Sequence, residues 1–151
     1  MFELESKQPD EVVLTVKDRV LKFDLAKGEI DADLAVGKIQ GPGEFEIGEA
    51  AIRGIATPSG RTVYAVKVGN VQLGLIGDVE EAITLDELGV ADILCTSSVR
   101  AVREIGPKVA VALGNVDGMV TELKLSARTE KKLKVKNVDA LPAALEVVVL
   151  N

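Results

Sequence analysis

The sequence predicts an α/β fold, with a strand-rich first half and a strand-helix alternation in the second. Three observations carry that prediction. Apolar residues make up 47% of the chain. Up to residue 77 they recur mostly with period two, the strand signature. From Thr84 onward, short buried-strand runs alternate with capped helical patterns closed by glycine. The length of 151 residues implies a single domain, residues 1–151. Such a chain buries roughly 68–70% of its unfolded surface, enough for a substantial core. Aromatics are only 3%, so Val, Ile, Leu and Ala must build that core, and Val and Ile favour strands.

The elements follow in order. Val12 to Leu25 reads as a hairpin turning at Lys17-Asp18, with Val20, Phe23 and Leu25 apolar and Lys22 and Asp24 turned out. Ile30 to Val36 reads as a short buried strand. Phe45 to Ala56 reads as two strands bent at Gly48 and Gly54, and Thr57 to Arg61 as a turn. Thr62 to Gly77 is the strongest hairpin. Tyr64, Val66 and Val68 share one face, and Gly69-Asn70 makes the turn. Thr84 to Gly89 has the pattern of a short helix with Thr84 as N-cap and Glu87 closing a capping box. Ala91 to Thr96 is a strand. Ser97 to Gly106 is a second capped helix, and Pro107 to Gly114 is a strand. Asn115 to Ala127 is a third helix weakened by Gly118. Lys131 to Val138 and Leu145 to Asn151 are closing strands.

Composition excludes several functions. No apolar run is long enough to span a membrane. The acidic MFELESKQPDE lacks the apolar core of a secretory signal. A single cysteine, Cys95, forms no internal disulfide, which points to a cytoplasmic protein. It lies in a buried strand pattern and reads as a small core residue. Residues 1–92 hold 18 acids and 9 bases, whereas residues 93–151 hold 6 acids and 9 bases. An acidic chain poor in aromatics lacks the footprint of a nucleic-acid binder. Lys131, Lys132, Lys134 and Lys136 offer an anion-binding reading, set against a solvated strand face or an edge strand guarded by lysines.

There is no histidine. The usual neutral-pH base and commonest metal ligand are therefore missing. Ser-His-Asp and Cys-His systems are excluded, and a zinc site lacks its nitrogen and sulfur donors. Ser59, Ser97 and Ser98 sit in no Ser-Lys spacing motif.

The segment GPGEFEIG, Gly41 to Gly48, raises a sharper question. A dinucleotide loop would open a helix, but Phe45-Glu46-Ile47 alternates like a strand, and Pro42 removes a donor. Glu44 and Glu46 share a strand face, as do Asp31 and Asp33, while Asp78, Glu80 and Glu81 cluster. Oxygen donors of this kind suit Mg²⁺, Ca²⁺ or Mn²⁺. Solvated carboxylates and a turn feeding a strand explain the same residues without a ligand.

Taken in order, GPGEFEIG, AIRGIATP, TVYAVKVGNVQLGLIGDV, LDELGVADILCT, IGPKVAVAL and the closing EVVVLN resemble a small zinc-dependent-hydrolase-like branch of the metallo-β-lactamase superfamily. The resemblance covers roughly residues 30–151. It implies a reduced form of that family's four-layer αββα sandwich. The family's H-x-H-x-D-H motif would follow Ala32-Asp33-Leu34-Ala35-Val36, yet the chain runs almost directly to Gly41. Ser59 and Gly114 stand where two further family histidines would lie. Only Asp78 matches a ligand position, that of the metal-bridging aspartate.

The resemblance therefore implies a metal-free, non-catalytic member of the fold, with no cofactor, acting as a binding or protein-interaction module. Its expected partner is another protein or a second copy in a homo-oligomer, favoured by the uneven charge. The alternative is a hydrolase with a carboxylate-only Mg²⁺ or Mn²⁺ site, in which Asp33, Glu44 or Glu46 joins Asp78.

Overall fold

The hairpins set the first layer. In the computed structural model, which describes residues 1–33 and 37–151, β1 (Phe2–Glu5) precedes β2 (Glu11–Val16) and β3 (Arg19–Asp24). The β2–β3 turn falls at Lys17-Asp18 as expected, with Val16 opposite Arg19. Lys17 takes the left-handed conformation that tight hairpins demand (φ 55°). The inward residues of β3 are Leu21 and Phe23, both fully buried, whereas Val20 is 46% exposed. Counting back by twos from Phe23 reaches Leu21, which leaves Val20 on the outward face.

The short β4 (Glu29–Asp31) and β5 (Ile39–Gln40) continue this sheet. The strand expected over Ile30 to Val36 is present to Asp31, and its part over Leu34, Ala35 and Val36 lies outside the described residues.

Gly41-Pro42 carries the chain into the second sheet. There β6 (Gly43–Ile47), β7 (Ala50–Ala56), β8 (Thr62–Val68) and β9 (Val71–Gly77) form an antiparallel meander. Gly48 makes the β6–β7 turn (φ 60°). Gly54 was expected as a bend but lies inside β7. It is glycine for space: a Cβ there would sit 3.0 Å from the Gly41 carbonyl oxygen and 3.2 Å from the Pro42 Cα. GPG is thus a turn folded onto the β7 backbone, and no helix follows it.

Next come α1 (Ala82–Leu88), β10 (Ile93–Thr96), α2 (Val99–Ile105), β11 (Val109–Ala112) and α3 (Val116–Leu123). The chain closes with β12 (Ala127–Glu130), β13 (Leu133–Val135), a 3-10 turn (Val138–Ala140) and β14 (Glu146–Leu150). Thr84 is not the α1 cap. The helix starts two residues earlier, after the extended Glu81, because Ala82 and Ile83 continue it without strain. Thr84 is left buried, its hydroxyl without a partner among the described residues. The α2 cap is as expected: Ser98 Oγ accepts from the Ala101 N–H at 3.1 Å, and Gly106 closes the helix in the left-handed region.

One sheet has the order β13-β1-β2-β3-β4-β5, and the other β12-β14-β11-β10-β9-β8-β7-β6. In the larger sheet β9, β10, β11, β14 and β12 run parallel. Ile93, Cys95, Val109, Val111 and Val148 fill the space between the sheets, with Phe23 against Tyr64 edge to face at 5.2 Å. The alternate residues Leu94, Ala110, Ala112 and Val147 pack under the three helices with Leu85, Leu88, Val102 and Met119. This double burial is why these strands read as continuous apolar runs.

The described residues form two sheets and one helical layer. Among the described residues no helix covers the outer face of the six-stranded sheet. Glu3, Lys22 and Lys134 stand there in cross-strand rows and need no cover. No described helix is long and apolar enough to cross a membrane.

Candidate functional site

In open α/β sheets, ligands bind beyond the carboxyl ends of the parallel strands. Here Asp78 follows β9, Ser97 follows β10 and Asn115 follows β11. With Asp10, Leu25 and Arg61 they line a hollow of about 440 Å³.

The floor of the hollow is held by a short network. The Gly77 carbonyl accepts from the Ser97 N–H at 2.9 Å and from Thr96 Oγ1 at 2.7 Å. Thr96 Oγ1 in turn accepts from the Ser98 N–H at 2.9 Å. Ser98 Oγ donates to Glu80 at 2.7 Å, so this hydroxyl is already used in capping and bonding. Asn115, at φ 50°, donates from its side-chain amide to the Ser97 carbonyl at 3.0 Å.

Arg61 is presented by the Thr57–Arg61 turn. Thr57 Oγ1 both accepts from the Arg61 N–H (3.0 Å) and donates to the Arg61 carbonyl (2.9 Å). The guanidinium then reaches across to the Asp78 carboxylate as a hydrogen-bonded ion pair. Sequence reasoning found Asp78 and the turn but missed the pair. The two residues are 17 apart, and only the antiparallel return of β8 and β9 brings them together.

The remaining candidates lie elsewhere. Glu44 and Glu46 are exposed on β6 beside a separate hollow of about 430 Å³, which also contains Arg53, Lys67 and Gln72. Asp33 is exposed, its N–H turned back onto Asp31. No three His, Cys, Asp or Glu groups come close enough to hold a metal ion among the described residues. The carboxylate site expected around Asp78 is therefore not assembled from Asp33, Glu44 or Glu46. The sheet topology places its members on separate elements.

Ser59 hydrogen-bonds Thr57 at 3.0 Å within the turn. Gly114 (φ 78°) faces Pro9. Cys95 is fully buried between the sheets, and burial pushes its thiol up to about 12. Tyr64 is also pushed up to about 12, first by burial and then by the nearby Glu29 and Asp24 charges. Its hydroxyl has no partner among the described residues. Lys132, Lys134 and Lys136 share the outward face of β13, since Leu133 and Val135 point inward.

The fold is similar to a metallo-β-lactamase fold. A Thermotoga maritima structure, described as a candidate zinc-dependent hydrolase of the metallo-β-lactamase superfamily, superposes with a TM-score of 0.70. The match covers 99% of each chain at 16% identity. No protein-family model matches this sequence, and no curated protein matches it.

Zinc, which that description implies, does not suit the residues present. Zinc sites take imidazole and thiolate donors at about 2.0–2.3 Å. This chain has no histidine. Its one thiol is enclosed in the inter-sheet core, where burial resists ionisation.

Proposed function

We propose that this chain is a non-catalytic, metal-free form of the metallo-β-lactamase fold, used as a binding or protein-interaction module. The observation that carries the reading is the Arg61–Asp78 pair. The carboxylate that resembles a metal-bridging ligand has a guanidinium as its counter-charge, in a chain without imidazoles. A guanidinium neutralises the carboxylate as a cation would, but it offers no open coordination position and activates no water. What remains at the strand ends is a shaped polar hollow, with Ser98 committed to its cap and to Glu80. A cytoplasmic location belongs to the same proposal, supported by the single cysteine.

The test is metal analysis of purified protein combined with thermal unfolding in Zn²⁺, Mn²⁺, Mg²⁺ and Ca²⁺. A ligand bound only to the folded state raises the melting temperature. The expected result is less than 0.1 metal atom per chain, no shift with any ion, and no turnover of phosphodiester or lactam substrates. Two metal atoms per chain that disappear in Asp78→Ala would overturn the reading.

A further inference from the structure

The two sheets end together at both sides of the sandwich. At one side Gly41-Pro42 links the last strand of the six-stranded sheet, β5, to the last strand of the eight-stranded sheet, β6. At the other side Lys131-Lys132 links the opposite edge strands, β12 and β13. The molecule thus has two open ends, each made of two edge strands and the link between them.

These ends carry opposite charge. Residues 39–49 contain Glu44, Glu46 and Glu49 and no base. Residues 124–136 contain six bases and one acid. Glu49 is already engaged by Lys17; Glu44 and Glu46 are exposed on β6 without an ion-pair partner among the described residues, with Arg53 opposite Glu44 on the inner neighbour β7. Lys131, Lys134 and Lys136 are likewise exposed and without an ion-pair partner among the described residues. Arg128 and Lys132 are the bases of this end that are already engaged, with Glu130, Glu146 and Glu3.

Charged residues on edge strands block unwanted strand pairing. A single sign at each end blocks like with like only. Two β6 edges meeting antiparallel about Phe45 would set Glu44 against Glu46 twice over, which is repulsive. Two β12–β13 ends would oppose their lysines. An acidic end meeting a basic end has no such penalty, and unpaired backbone groups are present on both.

We propose that copies of this chain associate head to tail. The acidic β5–β6 end of one copy docks on the basic β12–β13 end of the next. The contact is heterologous, so it generates open chains or a ring, depending on the rotation between copies. It is charge-driven and weakens as salt shortens the Debye length from about 30 Å at 0.01 M to about 8 Å at 0.15 M. This inference rests on the interaction-module reading but is tested apart from it, since metal content and association are separate measurements.

The experiment is sedimentation of three proteins at low and high salt. Wild type is expected to give species heavier than the 16.0 kDa chain at 10 mM salt, lost at 300 mM. Glu44→Lys with Glu46→Lys makes both ends basic. Lys131→Glu, Lys134→Glu and Lys136→Glu together make the second end acidic. Each variant alone is expected to stay monomeric, and an equimolar mixture to recover assemblies. These positions are exposed, and recovery on mixing shows that both variants remain folded. A wild type that stays monomeric at 10 mM salt up to millimolar concentration overturns the proposal. So does assembly that persists unchanged in both single variants, or a mixture that stays monomeric.

Discussion

Raising the pH tests the inter-sheet core directly. Cys95 and Tyr64 both face that core, and burial foremost pushes both up to about 12, from ordinary values of 9.0 and 10.0. Each is neutral when protonated. Below its ordinary value, neither state loses the proton, and the stabilising contact is fully present. Between the ordinary and raised values the unfolded chain releases the proton and the folded chain does not, so stability falls as pH rises toward the folded value. Each pH unit in that window costs about 1.4 kcal/mol per group. Cys95 then removes about 4 kcal/mol between pH 9 and 12, and Tyr64 about 3 kcal/mol between pH 10 and 12. Their sum, about 7 kcal/mol, lies within the 5–15 kcal/mol typical of a whole domain. At pH 11 the two together amount to about 4 kcal/mol. The assay is urea unfolding at half-unit steps from pH 8 to 11.5, on wild type and on Cys95→Val with Tyr64→Phe. All other side chains are common to both proteins, so their contributions cancel in the comparison. Above pH 9 the double variant is expected to lose stability more slowly, with the gap widening to about 4 kcal/mol at pH 11. Parallel curves to within 1 kcal/mol would refute the reasoning.

Three further outcomes are expected. Ser98→Ala removes the α2 cap and the Glu80 partner together, and should lower stability by about 1–2 kcal/mol in chemical denaturation. Gly74→Ala places a methyl 2.8 Å from Leu94 Cδ1 and 3.0 Å from Leu88 Cδ2. It should cost about 1–3 kcal/mol and loosen α1, read as faster amide exchange there. Arg61→Ala breaks a pair whose carboxylate side chain is 67% exposed, so its unfolding free energy should change by no more than about 1 kcal/mol, with the fold intact by circular dichroism.

The parts of this fold legible from sequence are those where a local pattern decides the outcome. The Lys17-Asp18 and Gly69-Asn70 turns sit between alternating runs, and the α2 helix carries both its end signals. Thr84 misled because its capping-box spacing is genuine, while nothing upstream stops the helix before Glu81. Gly54 misled because a glycine needed for close backbone approach reads the same as one needed for a bend. Strands β1 and β12 went unseen for a shared reason. Both are four-residue edge or near-edge strands, and β12, reading Ala-Arg-Thr-Glu, owes its state entirely to pairing with β14. At the site, Asp78 was visible within a motif, but Arg61 was not. The signal lay in the hairpin register: the Gly69-Asn70 turn sets Val68 opposite Val71, and the same count carried down the ladder brings Arg61 opposite Asp78.

The pairing of β1 with β13 places Phe2 beside Val135 and Leu4 beside Leu133. The first strand of the described chain therefore finds its outer neighbour only after some 130 residues have been added, and until then Glu3 and Glu5 border an incomplete sheet. Such distant registration slows collapse to the final topology, since the entropy of closing so large a loop is lost before its contacts form. Refolding should accordingly run in at least two stages, with the β6–β9 meander protected early and the β1–β13 seam sealing last.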